Sequence, residues 1–190
     1  MNRFLMIDHR DSYTHILVDY FRQLSWQPVI RQCEDLEGIH INDFAFTVLS
    51  PGYGKPKDKI ETLRFIDQNR SHPMVGICLG MQLLAIAHGG TVKRAKRPLH
   101  GIVSNMIWST NQNFNSDSRE LQIMHYHSWV IDKIPASFQI LGLCDRSGDV
   151  MGVLNEERRF IAWQFHPESI GSERGLELLE RSVHWVMNEE

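Results

Sequence analysis

A cysteine stands between two glycines in Gly76-Ile77-Cys78-Leu79-Gly80, where an apolar run gives way to a helical pattern. That setting suits a nucleophile. A tight strand-to-helix turn leaves no room for bulk, so small residues flank the reactive one. The start of a helix offers unpaired N–H groups and the positive end of the helix dipole, and both favour a thiolate. Strand ends of an open α/β sheet are also where ligands bind. The plain alternative is a small buried cysteine beside structural glycines, and the pentapeptide alone does not decide between them. Cys33 and Cys144 lack such surroundings and read as structural.

A nucleophilic cysteine needs an imidazole to accept and return a proton. The imidazole needs a carboxylate to fix its tautomer and steady its charge. The apolar run Phe160–Phe165 ends in His166-Pro167-Glu168, so one strand end can supply both groups. Read alone, His-Pro-Glu is an exposed polar turn. Beside the cysteine it makes a triad in the chain order Cys78, His166, Glu168. A tetrahedral intermediate also needs oxyanion donors. The N–H of Leu79 follows the nucleophile directly. Ser50-Pro51-Gly52-Tyr53-Gly54, at another strand end, can bring a second from Gly52, because glycine lets main chain approach a ligand closely.

Two other chemistries compete. His125 and His127 alternate along a strand and so share a face, as metal ligands do, with His100 or His166 as a third. Asp, Cys or Glu partners at zinc-like spacing are absent, so no metal is expected. Asp8 and Asp11 near the first strand end suggest a phosphate-transfer site, but no glycine-rich phosphate loop accompanies them.

The elements that must position these groups follow from periodicity. Strands are expected over Phe4–Ile7, Pro28–Ile30, Phe46–Leu49 and Met74–Cys78, with helices after Ser12, over Lys59–Gln68 and over Leu79–His88. Ser12 is the expected N-cap of a helix carrying Ile16, Leu17, Tyr20, Phe21 and Leu24. Strand–helix alternation implies right-handed crossovers and a mostly parallel sheet with helices on both faces. From Thr91 onward, strands over Ile102–Trp108, Gln122–Ile131, Ile140–Leu143, Asp149–Leu154 and Phe160–Phe165 predict added antiparallel pairing. The Asn-rich stretch Asn111–Ser116 reads as a loop, and Ser172–Met187 as an amphipathic helix with Leu176, Leu179, Val183 and Val186 on one side. The fold class is α/β, and residues 1–190 are expected to form one domain.

Composition narrows the partners. The net charge of -3, with both signs scattered, argues against nucleic acid or an anionic membrane. Asp8 ends the first apolar run too early for a signal-peptide core, and no apolar run approaches the ~20 residues that span a bilayer. A cytoplasmic location is expected. Three cysteines without paired spacing do not suggest a disulfide framework.

Several motifs together resemble the class I glutamine amidotransferases, and among them the glutaminase subunit of anthranilate synthase and of aminodeoxychorismate synthase. Met6-Ile7-Asp8-His9-Arg10-Asp11-Ser12-Tyr13-Thr14 is similar to that family's opening strand and turn. Ser50–Pro56 resembles its oxyanion loop, and Gly76–Gln82 its nucleophile elbow. His100-Gly101, Tyr126-His127-Ser128 and Gln164–Ser169 complete the set in order. The resemblance implies Cys78 as nucleophile, His166 as base, Glu168 as its orienter, and Gly52 and Leu79 in the oxyanion hole. It also implies that Gly52, Tyr53, Gly54, Gln82, Ser128 and Trp129 bind glutamine, Ser128 and Trp129 through their backbone. No cofactor or metal is implied. The implied partner is a chorismate-binding synthase subunit on another chain, making anthranilate or aminodeoxychorismate.

The sequence departs from the family pattern at Tyr53 (usually Pro), Met81 (usually His), Ile102 (usually Lys) and His125 (usually Arg), and at His15-Ile16, where Tyr-Asn is usual. None is a triad position. The expected coupling surface is the rim of the active cysteine: Tyr53, the His100-Gly101-Ile102 turn and His125. A stand-alone hydrolase of γ-glutamyl bonds and a non-catalytic regulator on the same fold are the alternatives.

Overall fold

The computed structural model describes residues 2–109 and 119–188. The stretch Asn111–Ser116, expected as a loop, lies outside them.

The core begins with β1 (Arg3–His9), whose Phe4 to Ile7 are wholly buried. Successive side chains of a strand point to opposite faces. Phe4 and Met6 accordingly join one apolar cluster, and Leu5 and Ile7 another. A strand buried on both faces reads as a continuous apolar run, which is why this one is legible in the sequence. The parallel half of the sheet adds β2 (Gln27–Gln32), β3 (Thr47–Gly52), β4 (Met74–Ile77) and β9 (Phe160–Trp163). The antiparallel half is β5 (Thr91–Trp108), β6 (Glu120–Lys133), β7 (Gln139–Cys144) and β8 (Val150–Asn155). Among the described residues these form one nine-stranded sheet in the order β2-β1-β3-β4-β9-β8-β7-β5-β6.

Helices cover both faces. The buried apolar side chains of α1 (Thr14–Gln23) and α4 (Gly175–Met187) share a cluster with Phe4, Met6 and Phe46. The buried apolar side chains of α2 (Ile60–Gln68) and α3 (Leu79–Ala87) share a cluster with Leu5, Ile7 and Leu49. None of the helices among the described residues is long and apolar enough to cross a membrane.

Two local expectations need correction. Ser12 does not cap α1: Tyr13 occupies the N-cap position and no side chain caps it. The Asp11 carboxylate instead accepts the Tyr13 N–H at 2.8 Å, and the Asp11 carbonyl accepts the Thr14 N–H at 3.1 Å. This Asx-type turn consumes the donors a cap would take and starts the helix later. The buried stripe is Thr14, Leu17, Val18 and Phe21, and Ile16 is exposed. The second correction is β5, which starts at Thr91 rather than Ile102. Its first half pairs with β6 in broken register, with shifts between Arg94 and Leu99 and between His100 and Ile102.

Candidate active site

Cys78 sits where β4 turns into α3, as the residue before the first helical turn. Its φ is +52°, a backbone conformation that non-glycine residues rarely adopt. Its N–H donates to the Trp163 carbonyl of β9 at 2.7 Å, which ties the turn to the neighbouring strand. The flanking glycines are required by contact. A Cβ on Gly80 would lie 2.3 Å from the Leu49 carbonyl oxygen, and one on Gly76 would lie 2.9 Å from the Gly80 carbonyl carbon. The helix start is therefore pressed against β3 and β4, and the nearly buried Cys78 stands at its N-terminus, where the first N–H groups of a helix lack intrahelical acceptors.

His166 and Glu168 follow β9, the strand beside β4. His166 Nδ1 and Glu168 Oε1 are 2.8 Å apart, and both side chains are buried. Burial alone would push the imidazole down. The Glu168 carboxylate and the Cys78 sulfur outweigh it and hold His166 well above its ordinary value. Nδ1 is committed to Glu168, so Nε2 is the nitrogen left over, and among the described residues it has no partner of good hydrogen-bond geometry. The rings of Tyr13 and Tyr126 meet the imidazole edge-on at 5.4 and 5.2 Å and shield it from water.

Gly52 ends β3 against the elbow. A Cβ there would lie 2.7 Å from Leu79 Cδ2 and 2.4 Å from His9 Cβ. His9 anchors this loop. The Ser50 hydroxyl accepts its N–H at 2.9 Å, and its ring nitrogens lie 3.1 Å from the Ser50 carbonyl and 3.1 Å from the Thr62 hydroxyl. Burial, helped by nearby Lys59, lowers His9 to about 4, so it is a neutral strut.

Cys78, Gly52, Tyr53, Gly54, Gln82, Ser128 and Trp129 border one cavity of about 360 Å3. The structure thus gathers every residue expected to bind glutamine. Gln82 is nearly buried, and its Nε2 donates to the Trp129 carbonyl at 2.9 Å and to Gln164 Oε1 at 3.1 Å. Its Oε1 is what remains for a ligand. The Ser128 hydroxyl lies 2.9 Å from His100 Nε2. Asp11, Lys55 and Arg94 bring both signs of charge to the lining. Nothing in the sequence singles out these three for this role.

Gln164 also escapes the sequence reading. It is fully buried, and its Nε2 donates to Cys78 Sγ at 3.7 Å while its Oε1 accepts from Gln82. The usable signal is its position at the strand end two residues before His166.

The expected rim also changes. Tyr53 is 63% exposed and borders the cavity, as does His100; Ile102 is exposed but does not line it. His125 is 0% exposed and leaves the rim. His100-Gly101-Ile102 is not a turn but an irregular stretch inside β5, where Gly101 takes φ +67°. His125 Nδ1 and His127 Nε2 are 2.9 Å apart and so engage each other. The described residues contain no group of three His, Cys, Asp or Glu able to hold a metal ion.

Comparison with known proteins gives the same family as the motifs. The family model "Glutamine amidotransferase class-I" matches residues 5–185. Anthranilate synthase component 2, pyocyanine specific, of Pseudomonas aeruginosa is 34% identical over 96% of this chain and 94% of its own. Anthranilate synthase component 2 of Vibrio parahaemolyticus is 35% identical over 98% and 97%. In fold, the chain is similar to the crystal structure of a glutamine amidotransferase from Thermotoga maritima. That match has a TM-score of 0.78 and 19% identity, and covers 98% of both chains.

Proposed function

We propose that this chain, which belongs to the class I glutamine amidotransferase family, is the glutaminase subunit of a chorismate-using synthase of the anthranilate type. The observation that carries the chemistry is the meeting of three buried groups: a cysteine at a helix N-terminus, an imidazole that the carboxylate and the sulfur raise above its ordinary value, and that carboxylate on the imidazole's Nδ1. The Cys78 thiolate attacks the γ-amide carbon of glutamine. The N–H groups of Gly52 and Leu79 receive the oxyanion. His166 gives its proton to the departing nitrogen, and neutral ammonia leaves a γ-glutamyl thioester. Water then attacks the thioester, His166 takes one of its protons, and the thiolate departs. Gln164 and Gln82 keep the sulfur and the cavity wall in place. Asp11 and the cationic Arg94 and Lys55 suit the ammonium and carboxylate of an amino acid.

The names of the relatives favour anthranilate over aminodeoxychorismate as the final product. Ammonia protonated in water is no longer a nucleophile, so its use requires a sealed path into the synthase. Tyr53, exposed and bordering the cavity, stands where such a seal would form. The test measures glutamate release by the chain alone, with a chorismate-using synthase, and with synthase plus chorismate, and identifies the aromatic product. Stimulation by the synthase with anthranilate as product is expected. Equal kcat/KM for glutamine in all three settings would instead favour the stand-alone hydrolase.

A further inference from the structure

The chain carries a net charge of -3, yet cations gather at one place on it. Lys93, Lys96, Arg97 and Arg146 line a second cavity of about 440 Å3, together with Ser147 and Asp149. It shares no residue with the cavity that holds Cys78.

Two walls bring these cations together. One is the irregular part of β5. Five steps along β5, from Arg94 to Leu99, face only two along β6, from Trp129 to His127. Three residues of β5 are left over, and such a bulge re-aims the side chains it carries. Lys96 and Arg97 lie within it, and both are exposed. The other wall is the turn between β7 and β8, which carries Arg146. Main-chain bonds hold this turn. The Cys144 N–H donates to the Asp149 carbonyl, the Gly148 N–H to the Cys144 carbonyl and the Asp145 N–H to the Asn105 carbonyl, each at 2.9 Å. Arg146 therefore reaches out from a fixed base.

The lining is not neutralised from within. Lys93 Nζ meets Asp132 Oδ1 at 2.6 Å, and Asp149 brings one carboxylate. Among the described residues, the side chains of Lys96, Arg97 and Arg146 make no ion pair or hydrogen bond. By contrast Arg10, Arg22, Arg70, Arg158, Arg174 and Arg181 all meet carboxylates. Three unpaired cations against Asp149 leave two positive charges over. Like charges held together repel, and an anion between them turns that repulsion into attraction. Arg97 and Arg146 offer planar forks that match the paired oxygens of a phosphate or a carboxylate, and Lys96 adds a point charge. The volume falls within the roughly 300–1,000 Å3 of small-ligand pockets. A nucleic-acid surface would spread its charge along a stripe on a basic domain, whereas these cations converge on one hollow of an acidic chain.

We propose that this cavity is a binding site for a small oxyanion carrying two or more negative charges, separate from the glutamine site and independent of the glutaminase reading. Isothermal titration measures the binding of pyrophosphate and of citrate to the wild-type chain, each against sodium chloride at equal ionic strength. At least one of the two should bind saturably at a single site, and more weakly as salt is raised. Binding of pyrophosphate alone assigns the site to phosphate groups, and binding of citrate alone assigns it to carboxylates. Arg97→Gln and Arg146→Gln should each raise Kd about tenfold. Arg64→Gln, which removes an exposed cation from α2, should leave Kd within about twofold. Thermal midpoints and glutamate release without added anion should be the same in all four proteins, since none of these arginines borders the glutamine cavity. Binding that sodium chloride reproduces, that both cavity variants retain, or that Arg64→Gln loses equally overturns the proposal. Failure of both anions to bind also overturns it. If Arg97→Gln and Arg146→Gln then weaken association with a synthase subunit, the cavity receives an acidic protein segment instead.

Discussion

Replacing Glu168 by glutamine tests the charge logic of the site while leaving its shape nearly intact. An amide oxygen can still accept the His166 Nδ1–H that the carboxylate now takes at 2.8 Å. What disappears is the negative charge. Two unit charges ~4 Å apart interact by about 4 kcal/mol at an effective dielectric of ~20. Burial, the largest influence on His166, acts the other way and is then opposed only by the Cys78 sulfur. The imidazole should move from well above its ordinary value towards or below it, and less of it is charged at pH 7. Since about 1.4 kcal/mol is tenfold in rate, kcat/KM for glutamine should fall by roughly 10² to 10³ at pH 7. The loss should be smaller than for His166→Ala, which removes the base altogether. Stability has a matching sign. A histidine raised on folding stabilises fully below its unfolded value near 6.5, and that contribution fades as pH rises through the folded value. Glu168→Gln should therefore cost most stability below pH 6.5 and least at alkaline pH. The assays are kcat/KM against pH, NMR titration of the His166 ring, and urea unfolding at several pH values. An unshifted ring titration together with kcat/KM within about threefold of wild type would refute the reasoning.

Other consequences follow from the same contacts. Gly52→Ala should cost about 1–3 kcal/mol by overpacking, because its Cβ would strike His9 and Leu79; urea unfolding and glutamate release should both report the damage, and wild-type values for both would contradict the close approach. Gln164→Ala removes the donor to Cys78 and the acceptor for Gln82, so kcat should fall about tenfold, on the order of 1.4 kcal/mol, as measured by steady-state kinetics. Burial lowers His9 and His72 to about 4 and His127 to about 3. The unfolded chain protonates all three near pH 6.5 and the folded chain does not, so stability should fall with pH from about 6.5 towards 4, by up to about 4 kcal/mol per unit. Denaturant midpoints that stay flat across that window would disprove it.

Legibility follows burial. β1, β3 and β4 are sealed on both faces, so their sequences are apolar runs, and the elbow after β4 can be placed with them. The first half of β5 is invisible in the sequence because Lys93-Arg94-Ala95-Lys96-Arg97-Pro98 is largely exposed and carries no alternation. Pairing to β6 holds it extended, and a contact between distant segments leaves no local pattern. His125 is misplaced on the rim because alternation along a strand tells which residues share a face, not which face is covered. Gln164 escapes for a similar reason: a polar residue at a strand end reads as solvated until the sulfur and the amide that satisfy it are seen. Ser12 fails as a cap because Asp11 one residue earlier takes the competing turn.

The glutaminase reading turns on the proposal that Cys78 is the nucleophile, and Cys78→Ser in the complex with a synthase tests it most directly. A serine hydroxyl at the elbow keeps the fold but not the acidity of a thiol. Synthesis is measured twice, once with glutamine and once with ammonium salt at alkaline pH. Glutamine-dependent synthesis and glutamate release should disappear while ammonia-dependent synthesis continues at the wild-type rate. Glutamine turnover that survives Cys78→Ser would contradict the assignment.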